Sequence, residues 1–498
     1  MTRSGRFRNL GAADLVFAVV LATGLIGGRA GFFNDPGTYW HLRLGREIAA
    51  TGSVPRADTF TFTRGGTPWV DQSWAFDLAL AAVVDHLGWS GVMALTAVLL
   101  AAIYALLTSG LERDGATPLV AGVVGVLAAG LGSMHFLVRP HLVTFACVLA
   151  VQRLCRSYHT SGGRSVWLVA PIMVVWANCH GGFLAGPIIV ATAVVGHAID
   201  GGLRDRVGRR RLAVLVAVFA LAIAAPLINP YGLGLYRHVH GLLSAANVTD
   251  LIDEYQPSPF GKSQARVLEM VILALVAMPV FSRARPSAYD VAQSLVWLHF
   301  ALGSVRHTPL FAFAVAPMLS AWLDGLLMPS QGLKVASARG PGWLSFALGS
   351  TVLVLGSLGV PRGGPDPSKW PLDALVSLDR QPTSARLFHE QDWGGLIESE
   401  CRPRRASYLD DRFELWGREP ILEYADALTG GPAWDRVRDR DAIEMVWLKP
   451  DRGLSRRLAL DPTWVEVHRD RLSVLFRRVG VGTDRAGPSP AITSRVGR

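Results

Sequence analysis

The sequence predicts an α-helical membrane protein that crosses the bilayer many times, in about eleven spans, and ends in a small α/β domain. Three observations predict it. Half of the 498 residues are hydrophobic and only 18% are charged, too apolar for one large soluble domain. Apolar segments of about 16 to 22 residues, each able to cross a hydrocarbon core of roughly 30 Å, recur from Asp14 to Pro361. Beyond Pro361 the composition turns charged and soluble. The formal net charge of +10 comes almost entirely from arginine in short clusters between the apolar segments. Such clusters are topology signals. No basic tract is interleaved with aromatics along one face, so nucleic acid is not an expected partner.

The apolar segments begin near Leu15, Gly91, Leu119, Leu142, Val166, Phe183, Leu212, Val267, Val291, Leu310 and Trp343. The first follows a basic head, "MTRSGRFR", is too long for a signal-peptide core and has no small-residue cleavage site after it, so it reads as a retained span. Arginine and lysine in short loops favour the cytoplasm. With the N-terminus inside, "TRSGRFR", "ERDG", "CRSYHTSGGRS", "LRDRVGRRR", "SRARPS" and "KVASARGPG" all fall on the cytoplasmic side. An odd number of spans then leaves the C-terminal domain outside, which in a bacterium is the periplasm. The expected organisation is a membrane domain over 1–361, with its first external loop at 34–88, a periplasmic α/β domain over 362–480, and a disordered tail over 481–498 rich in Gly, Pro and Ser.

Within the C-terminal domain "RASYLDDR", "AIEMVWLKP", "WVEVHRD" and "LSVLFRR" read as strands and "GREPILEYADALTG" as a helix. In the first external loop "TFTFT" alternates like a strand, "RGGTPW" reads as a turn, and "WAFDLALAAVVDHLG" has apolar positions at helical spacing. Asp58, Asp71 and Asp77 in that loop read by default as solvated surface acids. The four cysteines show no CxxC pair and no metal-ligand spacing; a Cys179–Cys401 disulfide is possible on the oxidising side. The residues leave the cofactor open: a divalent metal is possible but not supported.

Five polar clusters interrupt apolar sequence on the external side: "NDPGTYWH", "HFLVRPH", "WANCHGG", "INPYG" and "SVRHTP". Polar groups at that depth are costly unless paired or lining a wet cavity, so five such loops on one face point to one shared cavity. It would hold the carboxylate of Asp35, the imidazoles of His41, His141, His180 and His307, the guanidiniums of Arg139 and Arg306, and the amides of Asn178 and Asn229. Arginine's planar fork of donors matches phosphate oxygens, and a phosphate at a membrane surface usually belongs to a lipid. Each residue also has a plainer reading: Asp35 as a helix N-cap, His41 as an interfacial side chain beside Tyr39 and Trp40, the arginines as snorkelling side chains, the other histidines as hydrogen-bonding groups, and Asn229 as a turn residue.

The succession "DPGTYWHLRLGREIAATGSVPRADTFTFTRGGTPWVDQSW", "WANCHGGFLAG", "INPYG", "RHTPLFAFAVAP", "DWGGLIESE" and "YLDDRFELWG" resembles a group of bacterial polytopic proteins that is itself similar to the C-type (GT-C) glycosyltransferase superfamily. The resemblance covers most of the chain. It implies a membrane bundle whose first external loop carries an essential acid, here Asp35, acting as base toward the acceptor or helping to hold a metal. It implies basic residues, here Arg139 or Arg306, on the phosphate of a polyprenyl-phosphate sugar donor, and a glycan or protein acceptor. Related first loops often carry a second acid two positions after the first; here that position is Gly37, which makes a metal site less expected. "DWGG" is faintly similar to an acceptor-recognition motif of oligosaccharyltransferases, which would assign Asp392 and Trp393 to the acceptor. The reading that follows is a glycosyltransferase of the bacterial inner membrane. The alternatives are a non-catalytic scaffold of a surface-polysaccharide system, or a transporter of lipids or small molecules; few ionisable groups fall at mid-span, His299 and Asp324 among them.

Overall fold

The computed structural model describes residues 11–244, 249–262, 265–327, 342–357, 363–401 and 404–480. The expected disordered tail, the basic N-terminal head and nearly all of "KVASARGPG" lie outside the described residues. The chain divides into two compact units, one formed by residues 1–56 and 69–365 and the other by residues 57–68 and 366–498.

The first unit is helical. Its helices are α1 (Ala12–Phe32), α2 (Gly37–Thr51), α3 (Trp74–Arg113), α4 (Pro118–Gly132), α5 (His141–Ser161), α6 (Val169–Cys179), α7 (Ala185–His197), α8 (Arg206–Ala224), α9 (Leu233–Ser244), α10 (Arg266–Phe281), α11 (Ala288–Gly303), α12 (Thr308–Leu327) and α13 (Trp343–Ser357). A helix lies at each of the eleven expected segments, but among the described residues six helical stretches are long and apolar enough to cross a membrane: Ala12–Phe32, Trp74–Arg113, Pro118–His135, Gly181–Gly202, Arg206–Leu227 and Val305–Leu327. The others are shorter or, like α5 with Arg153 and Arg156, carry charge along their length.

Helix α3 runs for 40 residues and joins the expected surface helix to the second span across a kink at Gly88, whose φ of +66° suits a residue without Cβ. Helix α2 packs closely against its first half, because Gly45 of α2 sits where any Cβ would come within 1.9 Å of the Asp77 carbonyl. Asp324 receives hydrogen bonds from the Thr117 backbone N–H (3.0 Å) and hydroxyl (2.6 Å), so this acid anchors the start of α4.

The second unit contains a four-stranded sheet of β1 (Arg386–His389), β2 (Ile443–Leu448), β3 (Trp464–Arg469) and β4 (Val474–Arg478), in the order β1-β2-β4-β3. The β1–β2 pair is parallel and the other two are antiparallel. Three of the expected strands and the helix, Arg418–Leu428, are present. "RASYLDDR" is not a strand; its place in the sheet is taken by β1, which precedes it. Asp410 and Arg412 are instead buried in an ion pair and Arg405 donates to the Ala385 and Pro382 carbonyls, roles that alternation does not signal.

Residues 57–68 leave the helical unit and fold into this second one. "TFTFT" forms no strand: only Thr61 within it makes an isolated bridge, to Ser407, and Ala57 and Pro68 on either side of it bridge each other. Asp58 holds its bend by accepting from the N–H groups of Phe60 and Thr61, both at 3.1 Å, and from the Thr61 hydroxyl at 2.6 Å. Arg412 donates to Asp58 at 2.8 Å and also pairs with Asp410, and all three side chains are buried. Asp58 is thus a core residue, contrary to the solvated reading, and Arg412 holds its carboxyl below the ordinary range despite the opposing effect of burial.

Candidate functional site

The site begins where α1 ends. Between α1 and α2 the chain turns through Asn34, Asp35 and Pro36, and the Asp35 carboxylate accepts the Gly37 N–H at 2.8 Å. The N-cap position itself is taken by Pro36, so Asp35 stands one residue before the expected cap and bonds the first N–H of α2 from there. Val138 donates to the Phe32 carbonyl at 3.0 Å, and the Thr38 hydroxyl donates to the Val138 carbonyl at 2.9 Å. These bonds lash the 136–140 loop to the turn and place Arg139 beside Asp35, Nε to Oδ1 at 3.3 Å. The other end of the guanidinium lies 3.5 Å from Glu254.

Glu254 was not singled out by the sequence. It lies in a short 3-10 turn, Asp253–Tyr255, tied to the loop before α12 by the Ser304 hydroxyl on the Glu254 carbonyl (2.8 Å) and by the Val305 N–H on the Gln256 carbonyl (3.0 Å). The same tie brings in Arg306, whose guanidinium stacks 4.3 Å from the centre of the Tyr255 ring. Burial raises the Glu254 carboxyl, but Arg139 and Arg306, helped by His135 and His141, outweigh it and hold it at about 2. Asp35 goes the other way: burial raises it, Arg139 and two backbone donors lower it, Glu254 raises it further, and the net shift is upward. Two neighbouring acids are thereby driven apart, one lowered from its ordinary value and the other raised.

His135, His141 and His180 lie within electrostatic reach of these charges, as does His307 of Arg306. His141 is bonded to the His135 carbonyl at 2.6 Å. His180 accepts from the Gly182 N–H through Nδ1, which also lies 2.7 Å from the Thr144 hydroxyl. Nδ1 of His135 and Nδ1 of His307 are buried without a partner, an unusual state for a buried ring nitrogen. The cluster therefore combines two cations, two acids of unlike character and two uncommitted nitrogens.

Five other expected residues lie elsewhere. His41 is buried between α2 and α3, bonded to Asp77 at 2.7 Å and 3.5 Å from the Ser73 hydroxyl. Asp77 and Asp71 are fully buried, which corrects their solvated reading: Asp77 faces an imidazole, and Asp71 accepts from the Ser73 N–H (2.9 Å) and hydroxyl (3.1 Å). The Asn178 oxygen accepts from the Trp74 indole at 2.8 Å, and its amide donates to two carbonyls at the same distance. Asn229 closes its own turn, accepting from the Tyr231 N–H at 2.7 Å. In the second unit Trp393 is packed into the core against Trp447 at 4.8 Å, which removes it from any acceptor surface, while Asp392 pairs with Lys449 at 3.4 Å. All four cysteines are free thiols. Among the described residues no three His, Cys, Asp or Glu side chains are grouped to hold a metal.

No family model matches the chain, and no curated protein matches it. Its fold matches solved structures. The archaeal oligosaccharyltransferase AglB from Archaeoglobus fulgidus, in complex with an inhibitory peptide and a dolichol-phosphate, superposes with a TM-score of 0.51 at 11% identity, over 88% of this chain and 69% of that one. ArnT from Cupriavidus metallidurans in the apo state superposes with a TM-score of 0.51 at 16% identity, over 93% and 97%. The chain is a multi-pass membrane protein with the GT-C-like fold of these structures.

Proposed function

We propose that the protein is a membrane glycosyltransferase that moves a sugar from a polyprenyl-phosphate-linked donor to an acceptor, a cell-surface glycan or protein, outside the cytoplasm. The observation that carries this reading is the arrangement of Asp35, Arg139, Glu254 and Arg306, built from loops at one end of the helical unit. The GT-C-like fold, shared with an oligosaccharyltransferase solved with a dolichol-phosphate, supports it. So do the six basic loops, which favour a cytoplasmic N-terminus and put these polar loops and the second unit on the periplasmic side of a bacterial inner membrane.

In this mechanism the acceptor's oxygen or nitrogen attacks the anomeric carbon, the bond from that carbon to the phosphate oxygen breaks, and Asp35 takes the acceptor's proton. A carboxyl raised above its ordinary value is a better base than a surface acid. Arg139 and Arg306 stabilise the charge that collects on the departing phosphate. Glu254 keeps both guanidiniums oriented while the site is empty, and the free Nδ1 atoms of His135 and His307 offer hydrogen bonds to the donor. Asn178 and Asn229 hold the neighbouring loops in shape.

The test is sugar release or transfer from a panel of polyprenyl-phosphate sugars by the purified protein in lipid, for wild type, Asp35→Asn and Arg306→Ala. Turnover that both substitutions abolish supports the reading. Full activity in Asp35→Asn removes the base assignment, and the absence of turnover and of donor binding removes the enzyme.

A further inference from the structure

A cavity of about 290 Å³, away from the Asp35 cluster, opens among α3, α5, α11 and α12. Its walls are apolar over most of their length, with Leu99, Leu106, Ala146, Leu149, Phe313 and Pro317 among them. One end is charged: Arg113 and Asp114 close α3, Arg153 and Arg156 lie on the last turns of α5, and Asp290 lies on the first turn of α11. Arg156 is about 22 Å along α5 from His141, at 1.5 Å per residue, so this charged end is far from the Asp35 cluster.

Two features of the charged end are unspent. Asp114 pairs with both Arg153 and Arg156 at 2.6 Å, and Arg156 also pairs with Asp290. Arg113 makes none of the described hydrogen bonds or ion pairs, although it acts electrostatically on Glu112 outside the cavity wall; among the side chains that line the cavity, three guanidiniums against two carboxylates leave one net positive charge. The Gln152 side chain, only 8% exposed, lines the cavity with its amide nitrogen unpartnered. A buried amide donor without an acceptor is costly, and a ligand oxygen in the cavity would satisfy it.

The geometry points to a binding site for a membrane glycerophospholipid with a phosphodiester head, its acyl chain along the apolar walls and its phosphate between Gln152 and Arg113. The charge favours this occupant. A phosphodiester carries a single negative charge, which the net positive charge of the rim balances, whereas the phosphomonoester head of an isoprenoid phosphate takes on a second charge that would face Asp114 and Asp290. The tail supplies the contacts that the apolar walls lack.

Native mass spectrometry of the full chain in an uncharged detergent tests the site, with phosphatidylglycerol, diacylglycerol and undecaprenyl phosphate as probes. Wild type is expected to retain one phosphatidylglycerol that Gln152→Leu and Arg113→Gln each weaken roughly tenfold, the equivalent of losing a hydrogen bond to a charged group. Arg139→Gln, at the other end of the unit, is expected to retain it. Equal retention of diacylglycerol, unchanged binding in both Gln152→Leu and Arg113→Gln, or displacement of the bound phosphatidylglycerol by an equimolar amount of undecaprenyl phosphate would each overturn the assignment. Gln152→Leu keeps the side chain's size, so its loss of lipid is not a loss of fold.

Discussion

Asp35 and Arg139 are held 3.3 Å apart by backbone, not by chance of rotamer: the loop carrying Arg139 is hydrogen-bonded on both sides to the turn carrying Asp35. The pair is then completed by Glu254, which shares the same guanidinium. A raised acid, a depressed acid and two cations arranged in this way respond to pH and to substitution in ways that can be measured.

Glu254→Gln removes the negative charge that raises Asp35. The Asp35 carboxyl is then expected to fall toward its ordinary value, because ionising it no longer meets a neighbouring anion. Since a base must be ionised to accept a proton, the acidic limb of the pH–rate profile should move to lower pH. A profile of sugar transfer that stays in place in Glu254→Gln would separate Glu254 from Asp35.

Arg139→Gln acts in the opposite sense. It removes the strongest influence lowering Asp35, so the acidic limb should move to higher pH, and under the proposed mechanism it takes a cation from the leaving phosphate, for a loss of about 10²–10³ in turnover. Parallel measurement of donor binding and single-turnover rate distinguishes the two contributions.

His41→Leu leaves Asp77 as a buried acid without its imidazole. Breaking a buried pair from one side destabilises by about 3–5 kcal/mol, whereas His41→Leu combined with Asp77→Leu should recover much of the loss. Thermal unfolding of the full chain in one detergent, across the double-mutant cycle, reads the coupling directly.

In the second unit, His389 accepts the Tyr408 N–H at Nε2 (2.8 Å), so its Nδ1–H donates to the Glu390 carbonyl (2.8 Å) and the ring must be neutral. Burial lowers it to about 4. A group depressed on folding stabilises the fold fully above its unfolded value near 6.5 and loses that contribution as pH falls toward 4, by roughly 3 kcal/mol. Tryptophan fluorescence of Trp447 and its neighbours should report earlier unfolding of this unit as pH drops through that window, and His389→Gln should flatten the dependence.

Much of the architecture was legible because it rests on local pattern. Every expected apolar segment carries a helix, the strands at Ile443–Leu448, Trp464–Arg469 and Val474–Arg478 follow β-type runs, and Asp35, Arg139 and Arg306 were visible as polar residues in apolar surroundings. Glu254 was not: "IDEYQP" sits among other polar residues with no apolar flank to make it conspicuous, and only its place between two arginines makes it part of the site. Asp58, Asp71 and Asp77 look like surface acids for the same reason. Composition does not show that an Arg412, a His41 or a Ser73 waits in the fold to bond them.

By itself, then, the sequence determined which segments are apolar enough to lie in a bilayer, that the chain carries a C-terminal α/β unit, and which arginines and acids stand at segment ends. Burial in lipid and helical or strand periodicity are properties of neighbours along the chain. The tertiary structure decided which carboxylate faces which guanidinium, that residues 57–68 of the first loop fold with the second unit, and that Trp393 is core. These are contacts between residues distant in sequence, and a charge's pKa, partner and burial are set by whatever the fold brings within a few ångströms of it.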